Sequence, residues 1–166
     1  SILIVAIAAI GACLYTAWNL GADEIDRQAY KAIAGIASQG GRLDCRDRTV
    51  AGFPFRIGVS CSAVEFAPPG GGAVSASSFR SAAQFYDPGK VVGELDGPAL
   101  IQLPDGRRFE LNWEVLRSSL RANLDSINAL SVELRQPVLS EGRDTAGEQV
   151  LARSDEAQFH ARRSPQ

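Results

Sequence analysis

No charged side chain occurs in the first nineteen residues, and the first charge along the chain is that of Asp23. An α-helix rises about 1.5 Å per residue, so nineteen residues span about 28 Å as a helix. The hydrocarbon core of a bilayer is about 30 Å thick. We therefore predict that residues 1–20 form a transmembrane anchor and that the rest of the chain lies on one side of the membrane.

A cleaved secretory signal is the alternative interpretation of this segment, and a buried helix of a soluble protein is a third. Signal sequences have an apolar core of about 7–15 residues and a small-x-small cleavage site. Here the apolar run is longer, and residues 14–18 contain no Ala-x-Ala pattern. Tyr15 and Trp18 suit an aromatic belt at a membrane interface. The acidic stretch 23–26 favours an outward-facing body, because basic residues favour the cytoplasmic side.

Residues 21–39 are predicted to continue the anchor as an amphipathic helical stalk. Apolar residues recur there at spacings of three to four, as on one face of a helix: Ile25, Ala29, Ile33 and Ile36. The pair Gly40-Gly41 then ends the helical pattern.

From Arg42 onward the apolar residues alternate with polar ones, which predicts a β domain over residues 42–164. The alternation is clearest at residues 109–115, as in a strand with one solvated face. Residues 99–103 alternate before it, and Pro104-Asp105-Gly106 has the chemistry of a hairpin turn. No long helical pattern separates the strands, so we predict a mainly β body with a long-stranded, curled antiparallel sheet, shaped as a groove or half-barrel.

The segments on the N-terminal side of this hairpin alternate less regularly. Residues 53–67 predict one long strand with a β-bulge near residue 63, where the alternation slips by one position. Residues 73–87 predict a weaker return strand, and Asp87-Pro88-Gly89-Lys90 predicts the turn that follows it.

On the C-terminal side, residues 116–124 fit either a strand or one face of a helix, and the neighbouring strands favour the strand. Residues 130–135 predict a strand that ends at Pro137, and residues 157–161 predict a final short strand. The polar segment 140–147 is expected to be a loose connection between them.

Seven apolar residues of the predicted strands form the candidate binding site, an apolar groove: Phe55, Ile57, Val59, Phe109, Leu111, Trp113 and Val115. The simplest interpretation of such a stripe is a packed core. A sheet with one apolar face must bury that face against another element, a partner or a ligand. A stripe that faces lipid or another ligand is therefore the second interpretation.

Cys45 and Cys61 flank the turn-like stretch 49–52. If residues 42–48 and 54–62 pair as a hairpin, the two cysteines lie near each other across it. In an oxidising compartment they are then expected to form a disulfide, whereas reduced cysteines would pack as small apolar residues. Cys13 lies inside the apolar segment and is interpreted as an apolar residue.

The sequence contains no nucleophile elbow, P-loop, Rossmann glycine pattern or His-Glu-x-x-His motif. The single histidine, His160, lies among basic residues near the chain end, which is typical of a surface residue. One His without closely spaced Cys or His pairs predicts no metal site. The net charge of −2 gives no positive surplus for nucleic acid. We therefore expect a protein that is not an enzyme and that has no cofactor and no nucleic-acid partner.

Several motifs occur in a fixed order along the chain. They are Asp44-Cys45-Arg46-Asp47-Arg48, Gly52-Phe53-Pro54-Phe55-Arg56-Ile57, Cys61, Phe85-Tyr86-Asp87-Pro88, Glu94-Leu95-Asp96-Gly97-Pro98-Ala99, Trp113, Ser118-Ser119-Leu120-Arg121 and His160-Ala161-Arg162-Arg163. Together they resemble DUF2125, a bacterial family of unknown function found mainly in alphaproteobacteria. The resemblance implies an inner-membrane protein with one N-terminal helix and a periplasmic body, without established activity. It also implies that the chain is the N-terminal part of a longer protein.

The motif Gly52-Phe53-Pro54-Phe55-Arg56, followed by a long alternating strand, is also similar to AsmA-like periplasmic proteins. Those proteins build curled sheets with an apolar groove and are associated with lipid movement. This similarity implies that the body binds or conveys lipid or another hydrophobic envelope molecule. The alternative is a structural or assembly factor that binds envelope proteins through a sheet edge.

Overall fold

The structure is a computed structural model that describes residues 2–123, 126–143 and 147–163. Within these ranges the chain forms one long helix, α1 (Ile2–Ser38), followed by fourteen strands. Helix α1 covers both the segment predicted as an anchor and the segment predicted as a stalk. Its apolar window has a mean hydropathy of 1.9 and is 0% buried. The helix is therefore long and apolar enough to span a membrane, a test that a signal sequence also passes.

The strands form two antiparallel sheets of seven strands each. In chain order they are β1 (Arg42–Arg46), β2 (Thr49–Ala51), β3 (Arg56–Cys61), β4 (Ala63–Ala67), β5 (Ala73–Ala76), β6 (Phe79–Gln84), β7 (Asp87–Leu95), β8 (Ala99–Gln102), β9 (Arg108–Asn112), β10 (Val115–Asn123), β11 (Ser126–Arg135), β12 (Val138–Arg143), β13 (Gly147–Arg153) and β14 (Glu156–Arg162). Sheet I has the order β1-β4-β5-β8-β9-β12-β13, and sheet II has the order β2-β3-β6-β7-β10-β11-β14. The predicted mainly β architecture with an N-terminal helix and antiparallel strands is confirmed, and neither sheet closes into a barrel.

The two sheets are the two halves of a single meander. Each of seven long strands passes from one sheet to the other at its middle: β1–β2, β3–β4, β5–β6, β7–β8, β9–β10, β11–β12 and β13–β14. Consecutive long strands are neighbours in both sheets, so the whole body is one meander that is interrupted along a line across its centre. We call this line the crease. It runs through residues 47–48, 62, 77–78, 96–98, 113–114, 136–137 and 154–155.

Backbone hydrogen bonds continue between the long strands inside the crease. The Ser62 N–H donates to the Arg46 carbonyl at 2.9 Å, and the Asp96 N–H donates to the Ser78 carbonyl at 2.8 Å. The β-bulge predicted near residue 63 is wrong, because β3 ends there in sheet II and β4 begins in sheet I. A change of sheet produces the same slip in the apolar alternation as a bulge does.

The hairpin predicted around Pro104-Asp105-Gly106 is confirmed. Ile101 of β8 pairs with Phe109 of β9, and the Leu103 N–H donates to the Arg107 carbonyl at 2.9 Å to close the turn. Residues 116–123 form most of β10, so the strand interpretation of that segment is also confirmed. Residue 124 lies outside the described residues.

Two predicted connections are wrong. The turn predicted at residues 87–90 lies within β7, and the chain turns at Phe85-Tyr86 instead. The pairing of β6 with β7 shifts at this end, so Gln84 pairs with Asp87 and leaves only two residues for the turn. The segment predicted as loose, 140–147, contains the end of β12 and the first residue of β13. Residues 144–146 of that segment lie outside the described residues.

The strand register gives each sheet one apolar and one charged face. In sheet II one row across the sheet contains only apolar residues: Ile57, Ala83, Val91, Leu120, Leu130 and Ala161. In sheet I a corresponding row contains Leu43, Phe66, Val74, Ile101 and Phe109, and it continues to Glu141 on β12. The opposite face of sheet II carries ion pairs, in which Glu94 contacts Arg80 at 3.6 Å and Arg117 at 2.9 Å. The strands therefore have the one-sided pattern expected of a sheet with one wet face.

Helix α1 covers the apolar face only at the first long strands. Ala22 forms a buried cluster with Ile57 and Ala83. Around this cluster lie the partly buried residues Trp18, Ile25, Val50 and Val91. Burial of such side chains stabilises the contact by about 25 cal/mol for each Å² of apolar surface removed from water.

Two hydrogen bonds and the end of the helix place α1 along the first two long strands. The Trp18 Nε1–H donates to the Arg56 carbonyl at 2.8 Å, at the end of sheet II farthest from the crease. The Arg48 Nε donates to Asp26 Oδ1 at 2.8 Å within the crease. The helix ends where the Gly41 N–H donates to the Ile36 carbonyl at 3.1 Å, next to the far end of sheet I. Residues 2–17 of the helix therefore continue beyond the end of sheet II that carries Arg56.

Substitution of Gly58 tests the close approach of β3 to β6. A Cβ atom at Gly58 would lie 1.9 Å from the Ser81 carbonyl oxygen, so Gly58→Ala forces the backbone to move. We expect a loss of about 1–3 kcal/mol in the free energy of unfolding, as for other overpacked sites. Urea denaturation of the detergent-solubilised chain measures it.

Gly142→Ala is the matched control, because Gly142 also lies in a strand but has its nearest heavy atom at 3.9 Å. It should change the unfolding free energy by less than about 0.5 kcal/mol. Equal stability of the two variants would contradict the close approach of β3 to β6.

Candidate functional site: an apolar surface across the crease

The apolar faces of the two sheets lie on the same side of the meander. Cys45 is on the apolar face of sheet I, paired with Val64, and Cys61 is on the apolar face of sheet II, paired with Phe79. These two cysteines form a disulfide with a Cα–Cα distance of 5.3 Å. The disulfide thus joins the apolar faces at the crease, and we call the combined face the apolar surface.

The predicted disulfide is confirmed, and it joins two neighbouring antiparallel strands as predicted, but the predicted pairing of residues 42–48 with residues 54–62 is wrong. Residues 42–46 pair with β4, and residues 49–51 pair with β3. The Arg46–Thr49 segment carries the chain from sheet I to sheet II, and Asp47 adopts a positive φ of 48° there. The bond therefore connects the two sheets across the crease, between the neighbouring long strands β1–β2 and β3–β4.

The apolar surface is not buried in a filled core. Among the described residues only five apolar ones are buried, namely Ala22, Ile57, Cys61, Ala83 and Ala99, and the only fully buried side chain is a serine, Ser140. The accessible surface is 11574 Å², whereas a compact monomer of 17.7 kDa is expected to expose about 8,000 Å², and the unburied apolar window of α1 contributes to this excess. Leu116, Leu120, Val132 and Leu134 are only partly buried, so this part of the surface is open.

The structure distributes the residues of the predicted groove over both sheets. Ile57 is buried beneath α1, and Val59 lies beside it on the apolar face of sheet II. Phe109 and Leu111 lie on the apolar face of sheet I, opposite Ile101 and Ala99.

The three other predicted groove residues lie elsewhere. Trp113 is in the crease, where its Nε1–H donates to the Leu95 carbonyl at 2.9 Å. Val115 pairs with Arg135, which puts it on the charged face of sheet II. Phe55 precedes β3 and is 67% exposed.

The sequence pattern did not reveal that the apolar surface continues over β10, β11 and β14. The residues that extend it there are Leu116, Leu120, Leu130, Val132, Leu134 and Phe159. The alternation of residues 130–135 is visible in the sequence. Only the strand register shows that Leu130 lies in the same row as Ile57 and that Val132 and Leu134 lie on the same face. Phe159 is 58% exposed on the last strand of sheet II.

An aromatic cluster surrounds the point where α1 leaves the body. The ring of Phe53 makes edge contacts with Tyr15 at 5.7 Å and with Trp18 at 5.8 Å between ring centroids. Phe53, Phe55 and Tyr86 are exposed on the neighbouring loops of sheet II. Aromatic side chains in such positions are typical of a membrane–water interface.

The shifted titratable groups belong to local structural contacts. Hydrogen bonds from Gln28 and then Arg27 lower the pKa of Glu24 in the helix. Backbone and side-chain hydrogen bonds from Arg107 lower the pKa of Asp105 in the β8–β9 turn. Across the described ranges, no group of three or more His, Cys, Asp or Glu side chains is placed to hold a metal ion.

The structure is that of a mainly β protein with one long N-terminal helix and an open apolar surface. The sequence motifs predicted a protein of this class. The family described as an uncharacterized protein conserved in bacteria, DUF2125, matches residues 18–166, and the chain belongs to this family. No curated protein and no solved structure is significantly similar to it.

Removal of the disulfide tests its role in holding the sheets together. A bond that closes a loop of about fifteen residues stabilises a protein by about 3 kcal/mol, and Cys45 and Cys61 are 16 positions apart. We expect the double variant Cys45→Ser/Cys61→Ser to lose about this free energy of unfolding in urea titrations.

Cys13→Ser is the control, since Cys13 is free and exposed on α1. It should leave the urea midpoint unchanged. A double variant as stable as the control would show that the bond contributes nothing to the fold.

Proposed function

We propose that this protein is anchored in the bacterial inner membrane by α1 and that its periplasmic β body binds lipid or another hydrophobic envelope molecule on the apolar surface. The observation that carries the proposal is the exposure of this surface, with only five buried apolar residues among those described. Contiguous exposed apolar surface is uncommon on soluble domains, and where it occurs it supports a binding site. The sequence contains no recognised catalytic motif, so binding rather than a reaction is proposed.

The position of α1 supports a ligand that comes from the membrane. The helix carries 21 consecutive uncharged residues, 2–22, before Asp23, and Trp18 and Ala22 within that stretch already contact the β body. The segment that can span a bilayer therefore leads directly onto the apolar face of sheet II. A lipid that leaves the bilayer beside α1 would meet apolar side chains without crossing a polar layer.

The disulfide supports the proposed compartment. Structural disulfides persist in the periplasm and are rare in the cytosol. Cys45 and Cys61 are joined, which fits a body outside the cytoplasm.

A second candidate function is the binding of an envelope protein by strand addition. The last strand, β14, lies at the edge of sheet II, and all seven of its residues are exposed. An exposed edge strand offers unpaired backbone groups to another chain. In this case the body would act as a structural or assembly factor.

Charges placed on the two faces of β11 test the lipid proposal. Val132 pairs with Ser118 and Phe159 on the apolar surface, whereas Ser131 pairs with Ser119 and His160 on the opposite face. We expect Val132→Lys to remove most of the lipid that copurifies with the chain in mild detergent, because an ammonium group opposes apolar binding. Native mass spectrometry measures the bound lipid.

Ser131→Lys is the matched control, because it adds the same charge at the adjacent residue on the other face, and it should retain the lipid. Absence of copurifying lipid from the unmodified chain, or equal retention by both variants, would contradict the proposal. Recovery of a defined protein from photo-crosslinks at Gln158 of β14, in the absence of bound lipid, would favour strand addition.

A further inference from the structure

The charged face of sheet II carries a row of basic residues at the end farthest from the crease, and these residues form no salt bridge with another described residue. Arg56 lies opposite Gln84, which pairs with Asp87 because of the register shift between β6 and β7. Lys90 lies opposite Arg121, and Ala129 lies between Arg121 and Arg162. Arg56, Lys90, Arg121 and Arg162 are all exposed. We call these four residues the basic row.

The basic row differs from the rest of the same face. Closer to the crease, each arginine of the central strands has an acidic partner, as in the contacts of Arg80 and Arg117 with Glu94. No salt bridge involves the basic row within the described part of the chain, where the nearby carboxylate is Asp87 on the rim of a depression shared with Arg56, Lys90 and Arg121. Lys90 and Arg121 are direct cross-strand neighbours, and like charges in that position are destabilising.

Two adjoining depressions in the surface give an anion room beside these cations. One has a volume of about 530 Å³ and is lined by Lys90, Ser119, Arg121, Ser131, His160 and Arg162. The other has a volume of about 350 Å³ and shares Lys90 and Arg121 with the first. Hydroxyl and cationic donors converge there, which suits phosphate oxygens.

The location of the basic row indicates which anion it meets. Arg56 follows the exposed Phe53 and Phe55, and its carbonyl accepts the hydrogen bond from Trp18. Residues 2–17 of α1 extend past this end of the sheet, so a bilayer around them brings lipid headgroups to the level of the basic row.

We propose that the basic row and the neighbouring loops that expose Phe53, Phe55 and Tyr86 form a docking surface. Its ligands would be the anionic phospholipid headgroups of the membrane in which α1 is anchored. This inference rests on the proposed anchoring of α1, but it concerns the charged face and is independent of what the apolar surface binds. Docking would hold sheet II against the bilayer and keep the apolar surface next to its lipid source. Each basic residue near an anionic surface strengthens such contact by about fivefold.

The experiment compares the full chain in nanodiscs of phosphatidylcholine alone and of phosphatidylcholine with about one-third phosphatidylglycerol. Hydrogen–deuterium exchange is measured at residues 52–56 and 85–90. We expect exchange there to be slower in the anionic discs by about fivefold or more. Raising the salt from about 0.1 M to about 1 M should abolish the difference, because the Debye length falls from about 10 Å to about 3 Å.

The variant Lys90→Gln/Arg121→Gln should lose the lipid-dependent protection and remain folded, since it removes a repulsive pair. The matched control is Arg80→Gln/Arg117→Gln, which removes the same charge from the same face closer to the crease and should keep the protection. Equal exchange in both disc types, or equal loss in both double variants, would overturn the proposal.

A soluble anion is distinguished from the membrane by adding glycerol phosphate to the phosphatidylcholine discs. Protection induced by glycerol phosphate alone would identify a site for free phosphate compounds and would also overturn membrane docking. Lipid copurification of the Val132→Lys variant reports separately on the apolar surface, so either proposal can fail without the other.

Discussion

The fold depends on backbone hydrogen bonds that keep the seven long strands in the same neighbour relationships on both sides of the crease. Because contacts such as those of Ser62 with Arg46 and Asp96 with Ser78 continue inside the crease, the chain can change sheet without changing neighbours. The alternation within each strand then sorts side chains to two faces. The disulfide between Cys45 and Cys61 fixes the apolar faces of both sheets on one side. The continuous apolar surface follows from this arrangement.

A sheet with one apolar face normally has a second layer to cover it. Here the second layer is the single helix α1, which buries Ile57 and Ala83 at the first long strands. From β10 to β14 no described element covers the apolar surface, so its residues remain partly exposed. Helix α1 thus covers one end of the apolar surface and carries the uncharged segment that can enter a membrane. The proposed functions use both properties of the helix together with the basic row beside its exit point.

The sequence supports prediction of the local elements better than their arrangement. The helix, the β8–β9 hairpin and the disulfide could be predicted, because an uncharged run, a strict alternation around a Pro-Asp-Gly turn and paired cysteines are local signals. The crease could not, since a strand that changes sheet shifts the apolar phase just as a bulge does, as at Ser62. Residues 109–115 alternate without interruption, yet Val115 lies on the charged face because the chain crosses the crease at Trp113. The apolar rows and the basic row depend on pairing between distant strands, which one sequence does not reveal.

Photo-crosslinking in native membranes tests the central claim, that the apolar surface holds lipid, most directly. A photoreactive amino acid replaces Val132 on the apolar surface or, as the comparison, Glu133 on the charged face nearer the crease, and adducts are identified by mass spectrometry. The account predicts lipid adducts at position 132 and a much lower yield at position 133. Equal lipid yields at the two positions, or protein adducts alone at position 132, would contradict it.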